Sequence, residues 1–366
     1  MCRRGECVQA KGRTASVDDA GARRASAVAV AAQDDAGAAR RQTGRARSLK
    51  PSQEQIVLLI TLALLAAFSV ALPGFASVAN LLNLLRSISV LGILGLGMGL
   101  IVISRGIDLS EVAIMAAGWS VALIEMQRGM PIPLAVLLAL GISAAIGMAN
   151  GFIIAFIEAP PLFVTLASGF VIYGVAFWLA PAWVIYAPAN AHDLLLLGRG
   201  HLFGVPLPIF VFAGAAIAMH LFLTFTSIGR FIYAQGDNPD AARLAGISIR
   251  PLTVLAYTIV AGLAWLAGLV WIGATGSMQM QVTQGTMVFD VILVVVLGGV
   301  SLAGGRGSVL SVVVGCGLIG TLLNAFTIMD VNTEIQNIIR GVVLLAAILL
   351  DNWLHPRDEE TARQGD

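Results

Sequence analysis

The feature that most constrains this sequence is a succession of long apolar segments separated by short polar steps. Hydrophobic residues make up 58% of the 366 residues and charged residues only 12%, whereas a soluble domain carries about 25% charged residues. The mean hydropathy is +0.87. Because an α-helix needs about 20 apolar residues to cross a bilayer, the pattern predicts an all-α polytopic membrane protein.

About ten transmembrane helices are predicted, some of them near the lower limit of length. They cover residues 55–72, 84–103, 111–127, 132–156, 162–180, 209–225, 252–274, 288–303, 309–326 and 335–352. Between them, residues 75–86 are amphipathic and are predicted to lie at the membrane interface. Residues 181–208 read as a re-entrant or surface segment, and 275–286 as a polar loop.

Charge is divided unevenly along the chain. Residues 1–50 hold 11 Lys and Arg against 5 acidic residues and show no apolar periodicity, so we expect a disordered basic arm. Ten spans put both termini on one side, and the positive-inside rule makes that side cytoplasmic, together with a polar tail at 354–366. The inner side then also holds Arg105, Arg230, Arg243, Arg250, Arg306, Arg357 and Arg363, whereas the outer side holds Arg86, Arg128 and Arg199.

The polar stretch at residues 226–247 lies between two predicted spans. It carries more helix-capping signals than a simple connecting loop needs. Asn238 is a good helix N-cap, Pro239 suits the first helical position, and Gly246 can end the helix. The stretch therefore predicts a very short, well-capped cytoplasmic helix at about 237–246. We interpret it as a docking element.

This chain carries no nucleotide-binding P-loop of its own. A nucleotide-binding P-loop needs a lysine after a glycine-rich run, and the only lysines are Lys11 and Lys50, followed by Gly12 and Pro51. ATP, if it drives the protein, must therefore be bound by a partner.

Polar residues within or beside the spans are candidates for a translocation path. At any single position helix packing is the favoured interpretation, because polar contacts between membrane helices are common and worth about 0.6 kcal/mol. No chain of buried acids indicates a proton relay. The candidates are Asn83, Ser104, Asp108, Asn150, Thr165, Asp290 and Asn324.

The sequence gives little support for disulfide bonds, metal binding or catalysis. The three cysteines force no pairing, and none of the four histidines has a partner at catalytic or metal-binding spacing. We expect no metal, no catalytic residues and no nucleic-acid partner. An ion-coupled secondary transporter stays open as an alternative, as does an integral-membrane enzyme.

Four motifs in order carry a family resemblance. They are GIDLS at 106–110, the run from GMANG to PPLFVTL at 147–166, GRFIYAQGDNPDAARLAGI at 229–247, and VVLGGVSLAGGRGSVLSVVVGCGLIGTLLN at 295–324. From about residue 80 to 353 the chain resembles the permease subunits of ribose-type bacterial ATP-binding cassette (ABC) importers, in the branched permease family. That family also includes permeases for other monosaccharides and for autoinducer-2.

The resemblance implies a multi-pass protein of the bacterial inner membrane that forms the path for a sugar or similar hydroxylated solute. It implies three kinds of partner: a second permease copy, identical or not, a periplasmic solute-binding protein, and a cytoplasmic ATPase that binds ATP and Mg. One departure is Glu111, which follows GIDLS where the family usually has a small residue. The implied residues of ATPase coupling are Gly229, Arg230, Asn238, Ala241, Ala242, Arg243 and Gly246.

Overall fold

The computed structural model of this chain describes residues 53–179 and 183–354, which are almost entirely helical. The basic arm predicted at 1–50, and residues 355–366 of the predicted tail, lie outside the described residues. The helices are α1 (Gln53–Ala71), α2 (Val78–Ile103), α3 (Glu111–Gln127), α4 (Ile132–Phe156), α5 (Pro161–Leu179), α6 (His192–Arg199), α7 (Leu207–Phe225), α8 (Ser227–Asp237), α9 (Pro239–Leu244), α10 (Ile249–Thr275), α11 (Met287–Gly298), α12 (Val309–Ile328) and α13 (Thr333–Leu354). The strands are β1 (Val184–Tyr186), β2 (His201–Leu202), β3 (Val205–Pro206) and β4 (Ser277–Gln279).

Seven helices in the described part of the chain, α1, α2, α4, α5, α7, α10 and α12, are long and apolar enough to cross a membrane. They confirm the polytopic all-α class. The other three predicted spans correspond to α3, α11 and α13. Helix α11 has 12 residues and ends before Gly299, whose φ is 101°. At 1.5 Å per residue it is roughly 18 Å long, short of a bilayer core of about 30 Å, so the span predicted at 288–303 is too long.

Helix α2 begins earlier than predicted. It is continuous over 26 residues, and the Ser77 side chain caps it by accepting a hydrogen bond from the Asn80 amide at 3.3 Å. The stretch at 75–86, predicted to lie at the membrane interface, is therefore mostly the first part of α2 and not a separate element. The sequence offers no Gly or Pro between 78 and 91 to interrupt the helix, so these residues continue directly into the span.

The centre of the bundle is α2. Seventeen of its 26 residues are buried. In α1, by contrast, only Val57 and Thr61 are buried, so α1 lies at the periphery. Helices α7, α10, α11 and α12 pack around α2. A Cβ at Gly95 would lie 3.1 Å from the side chains of both Val294 and Val312, so this glycine lets α11 and α12 approach.

The seam between α4 and α10 also uses small residues. A Cβ at Gly147 would lie 2.6 Å from the Tyr257 carbonyl oxygen, and one at Gly151 would lie 2.7 Å from Val254 Cα. Close backbone approach of this kind holds membrane helices together. Gly147 and Gly151, four residues apart, thus mark the contact between α4 and α10.

The two long connections predicted as separate loops meet each other. Strand β1 pairs antiparallel with β4, with Ile185 opposite Met278, while β2 and β3 form a small hairpin. Helix α6 packs against the end of α10, where Gly198 meets the backbone of Gly273. The segment predicted at 181–208 is thus a structured cap on the C-terminal end of α10.

Candidate functional site: the capped helix and the buried polar cluster

Helix α9 is the short capped helix that the sequence predicts. The Asn238 side chain accepts hydrogen bonds from the backbone amides of the second and third helical residues at 3.1 and 3.0 Å. Pro239 occupies the first position, and Gly246 follows the helix with a φ of 84°. The local capping chemistry is sufficient to specify this helix, so the prediction from the sequence is confirmed, within slightly narrower bounds.

A second helix, α8, precedes α9 and was not predicted. The Thr226 side chain caps it by accepting a hydrogen bond from the Gly229 amide at 3.0 Å. A Cβ at Gly229 would lie 2.5 Å from the Phe222 carbonyl oxygen. The chain therefore turns back tightly at the end of α7, and α8 buries one side at Ile232 and Gly236.

Most residues that the resemblance implies for coupling lie on one exposed surface, which we call the α8–α9 surface. Gly229 and Ala242 are the exceptions, because both are buried within the chain and serve packing. Sequence reasoning missed two apolar side chains on this surface, Phe231 and Leu244, the latter 92% exposed. The exposed members are Phe231, Leu244, Arg230, Asn238, Ala241, Arg243 and Gly246.

The C-terminal end of α8 is fastened to the turn between α2 and α3 through Arg105. This residue has a φ of 68°. Its Nε donates a hydrogen bond to the Ala303 carbonyl at 2.9 Å, and its Nη2 donates to the Asp237 carbonyl at 3.0 Å. One guanidinium thus joins three separate chain segments.

Backbone contacts tighten the same place, which we call the α2–α8 junction (Ile103, Arg105, Gly236, Asp237 and Gly305). The Gly305 amide donates to the Ile103 carbonyl at 2.9 Å. A Cβ at Gly236 would overlap that carbonyl oxygen and lie 2.6 Å from the Gly305 nitrogen. Only glycine fits between the two, so the end of α8 packs directly on the backbone at the end of α2.

Tyr233 adds one further bond from α8 to the loop after α11. Its hydroxyl donates to the Gly307 carbonyl at 2.8 Å. Burial raises the pKa of this hydroxyl above its usual value, because the low-dielectric surroundings disfavour the charged form. Tyr233 therefore stays a hydrogen-bond donor at neutral pH.

Beyond the junction, the turn between α2 and α3 leads to a buried polar cluster. Asp108 is fully buried, and its Oδ1 accepts hydrogen bonds from the Ser110 amide at 2.9 Å and hydroxyl at 2.6 Å. The Asn150 side-chain amide donates to the Ser110 hydroxyl at 2.9 Å. Thr165 accepts from the Leu109 amide at 3.1 Å. Three of the predicted path residues, Asp108, Asn150 and Thr165, are thus brought together.

Glu111 is the least expected member of this cluster. It is fully buried at the start of α3, and within the described residues neither carboxylate oxygen has a hydrogen-bond partner. A Cβ at Gly97 would overlap its Oε1, so the missing side chain on α2 makes room for the carboxylate. Its burial rules out the ordinary surface role expected of an acid at a span end, and polar oxygens without partners are costly in such a place.

The other four predicted path residues lie apart. Asp290 pairs with Arg340 of α13 at 3.2 Å. Asn324 exchanges side-chain hydrogen bonds with Asn80 at 2.9 and 3.1 Å. The Ser104 hydroxyl donates to a carbonyl of its own helix, and Asn83 is exposed on α2. For Asn324 the packing interpretation therefore fits, whereas the Ser104 bond lies within one helix and joins no second helix.

Within residues 53–179 and 183–354, no group of three or more His, Cys, Asp or Glu side chains is arranged to hold a metal ion. Cys316 is buried, and its thiol donates to the Ile88 carbonyl at 3.4 Å. The remaining cysteines, Cys2 and Cys7, lie outside the described residues.

Residues 80–348 match the family model described as branched-chain amino acid transport system / permease component. The ribose import permease protein of Escherichia coli (strain K12) is 34% identical over 301 residues, covering 82% of this chain and 94% of the relative. The ribose import permease protein of Bacillus subtilis (strain 168) is 33% identical, covering 77% and 88%. The fructose import permease protein of Rhizobium meliloti is 30% identical, covering 84% and 87%. No solved structure matches. The chain therefore belongs to this permease family and is a multi-pass membrane permease of an ABC importer.

Proposed function

We propose that this permease forms the path for a sugar or a similar small hydroxylated solute across a bacterial inner membrane. Relatives that cover most of the chain are named for ribose and fructose import. Membership of the permease family argues against the ion-coupled carrier and the enzyme that the sequence alone left open. The cluster at Asp108, Asn150 and Thr165 is buried and hydrogen-bonded within the chain, so it braces the turn between α2 and α3 beside this path.

The observation that carries the proposal is the α2–α8 junction. Helices α8 and α9 present an exposed surface, and Arg105 ties them to the turn that leads into the polar cluster. A partner that moves the α8–α9 surface would thereby move the end of α2. Because packed elements shift as units, this connection is suited to transmit an ATPase movement to the path.

The rest of the assembly follows from that role. A cytoplasmic ATPase supplies ATP and Mg binding, a periplasmic protein delivers the solute, and a second permease copy, identical or different, completes the path. A cytoplasmic location of both termini and of the α8–α9 surface fits the positive-inside rule. Helix α13 carries an exposed apolar stripe suited to lipid or to the second copy, at Ile338, Val342, Leu345 and Leu349.

The docking assignment is tested by a matched pair of surface substitutions. Leu244 on α9 is 92% exposed, and Phe203 in the β2–β3 hairpin is 94% exposed. The two lie at opposite ends of α7, whose 19 residues span roughly 28 Å. Neither side chain supports the fold of this chain, so Leu244→Ser and Phe203→Ser should leave its stability unchanged.

The measurement is co-purification of the membrane-inserted permease with its ATPase subunit. The ATPase is the one encoded in the same genome, and the two proteins are expressed together. We expect Leu244→Ser to reduce the ATPase recovered about tenfold, because an exposed apolar anchor at an interface is worth more than about 1 kcal/mol. Phe203→Ser should retain full recovery. Equal recovery with both variants would remove the α8–α9 surface from the interface.

A further inference from the structure

A cavity of about 350 Å³ lies between α9, the connection from α4 to α5, and the start of α10. Three arginines line it, Arg105, Arg243 and Arg250, against one carboxylate, Glu158. The lining side chains carry a net charge of +2, which becomes +1 when Asp240, the partner of Arg243 at 3.3 Å, is counted with them. The proposed transport of a neutral sugar gives this cavity no role.

The arginines are held in place by groups that leave part of each guanidinium for a ligand. Arg250 donates from Nη2 to Glu158 at 2.8 Å, and its guanidinium lies 5.7 Å from the centre of the Phe156 ring. Arg105 uses Nε and Nη2 for the junction carbonyls. Arg243 makes a longer bond of 3.3 Å to Asp240. Because a guanidinium has five N–H donors, further donors remain on every one.

Two buried polar side chains in the same lining have unmet hydrogen bonds. Tyr257 is 2% exposed and Gln235 is 7% exposed. Within the described residues, the Tyr257 hydroxyl and the Gln235 Oε1 have no hydrogen-bond partner. A buried polar atom without a partner costs about 1–3 kcal/mol, so a ligand that completes these bonds gains affinity.

The two observations specify the ligand chemistry. Guanidinium groups pair with phosphate oxygens through parallel N–H bonds, and the Tyr257 hydroxyl is a further donor. The Gln235 oxygen accepts only, so it requires a donor such as a ligand hydroxyl. A phosphate ester that also carries hydroxyl groups satisfies both.

We propose that this cavity binds a hydroxylated phosphate ester. Two sources share this chemistry, a free phosphorylated polyol and the glycerol phosphate headgroup of an anionic lipid, which basic pockets between membrane helices also bind. Since Arg243 belongs to α9 and Arg250 to α10, the bound phosphate bridges the docking helix and the bundle. Occupancy therefore stiffens the α8–α9 surface.

The test uses the full-length permease without its ATPase, so its outcome is independent of the docking assignment. In phosphatidylcholine nanodiscs, calorimetry measures binding of glycerol 3-phosphate. In nanodiscs that contain phosphatidylglycerol, native mass spectrometry counts the retained anionic lipid. The variants are Arg250→Gln and Tyr257→Phe. The matched control is Arg128→Gln, because Arg128 is also an exposed arginine paired with a glutamate, Glu125, at 2.6 Å, and it lies outside the cavity lining.

We expect saturable binding of one of the two probes, weakened at least about tenfold by Arg250→Gln, since a hydrogen bond to a charged group has that value. Tyr257→Phe, which keeps the ring, should weaken it several-fold, and Arg128→Gln should not change it. Binding of glycerol 3-phosphate assigns a soluble ligand, and retention of phosphatidylglycerol alone assigns a lipid. No binding of either probe, or an equal loss with Arg128→Gln, overturns the proposal.

Discussion

Gly236→Ala is the sharpest perturbation of the α2–α8 junction. The new methyl group would overlap the Ile103 carbonyl oxygen and approach the Gly305 nitrogen to 2.6 Å. Overpacking of this kind costs about 1–3 kcal/mol, and loss of the hydrogen bond between Gly305 and Ile103 costs about 1 kcal/mol more. The better helix propensity of alanine returns about 1 kcal/mol. We expect a net loss of about 1–3 kcal/mol at the junction.

The assay is hydrogen exchange of the Gly305 amide, followed by mass spectrometry of the peptide that contains it. A loss of 1–3 kcal/mol should speed its exchange roughly 5- to 150-fold, because local opening sets the exchange rate. The control is Gly262→Ala in α10, where a Cβ meets nothing within 4 Å. The control should leave exchange at Gly305 unchanged. If Gly236→Ala also leaves it unchanged, Gly236 does not hold α8 against α2.

Two further predictions concern carboxylates. Glu111→Met should stabilise the permease by about 1–3 kcal/mol, because it removes two buried oxygen atoms without hydrogen-bond partners and keeps a side chain of similar length. Glu125→Gln, which breaks the exposed pair with Arg128, should change stability by less than about 1 kcal/mol. Thermal unfolding in one detergent compares the two variants, and a destabilised Glu111→Met would contradict the reasoning. The hydrogen bond and charge of Arg250 hold the pKa of Glu158 below its usual 4.5. The stability from this pair is therefore present above pH 4.5 and is lost as the pH falls through the lowered pKa. The difference in melting temperature between wild type and Glu158→Gln should thus shrink with acidification, and a difference that grows would refute the assignment.

Local chemistry explains why α9 could be predicted and the α2–α8 junction could not. Asn238, Pro239 and Gly246 specify a helix within ten residues of sequence. The junction instead joins Ile103, Gly236 and Gly305, which are far apart in the chain and meet through backbone atoms. Such contacts leave no periodic pattern, and a glycine in the sequence does not reveal which backbone approaches it.

The sequence also could not show which polar residues are buried or where some helices end. The sequence places Glu111 at the start of a span, where an acid ordinarily faces water. Its burial depends on the space above Gly97 of another helix. The length of α11 was misjudged for a related reason, because the apolar residues after Gly299 continue the hydropathy but not the helix. Apolar composition thus indicated membrane segments well and their ends poorly.

The pairing of β1 with β4 has a consequence for biosynthesis. Tyr186 pairs with Ser277, so the first strand leaves the ribosome well before its partner exists. At about 5–20 residues per second, the delay is roughly 5–18 seconds. During that interval the connection after α5 has no partner strand, and it is exposed to proteases and chaperones on its side of the membrane. Synthesis of β4 directly after α10 ends this vulnerable period, so folding of the cap reports that the chain has been made through α10.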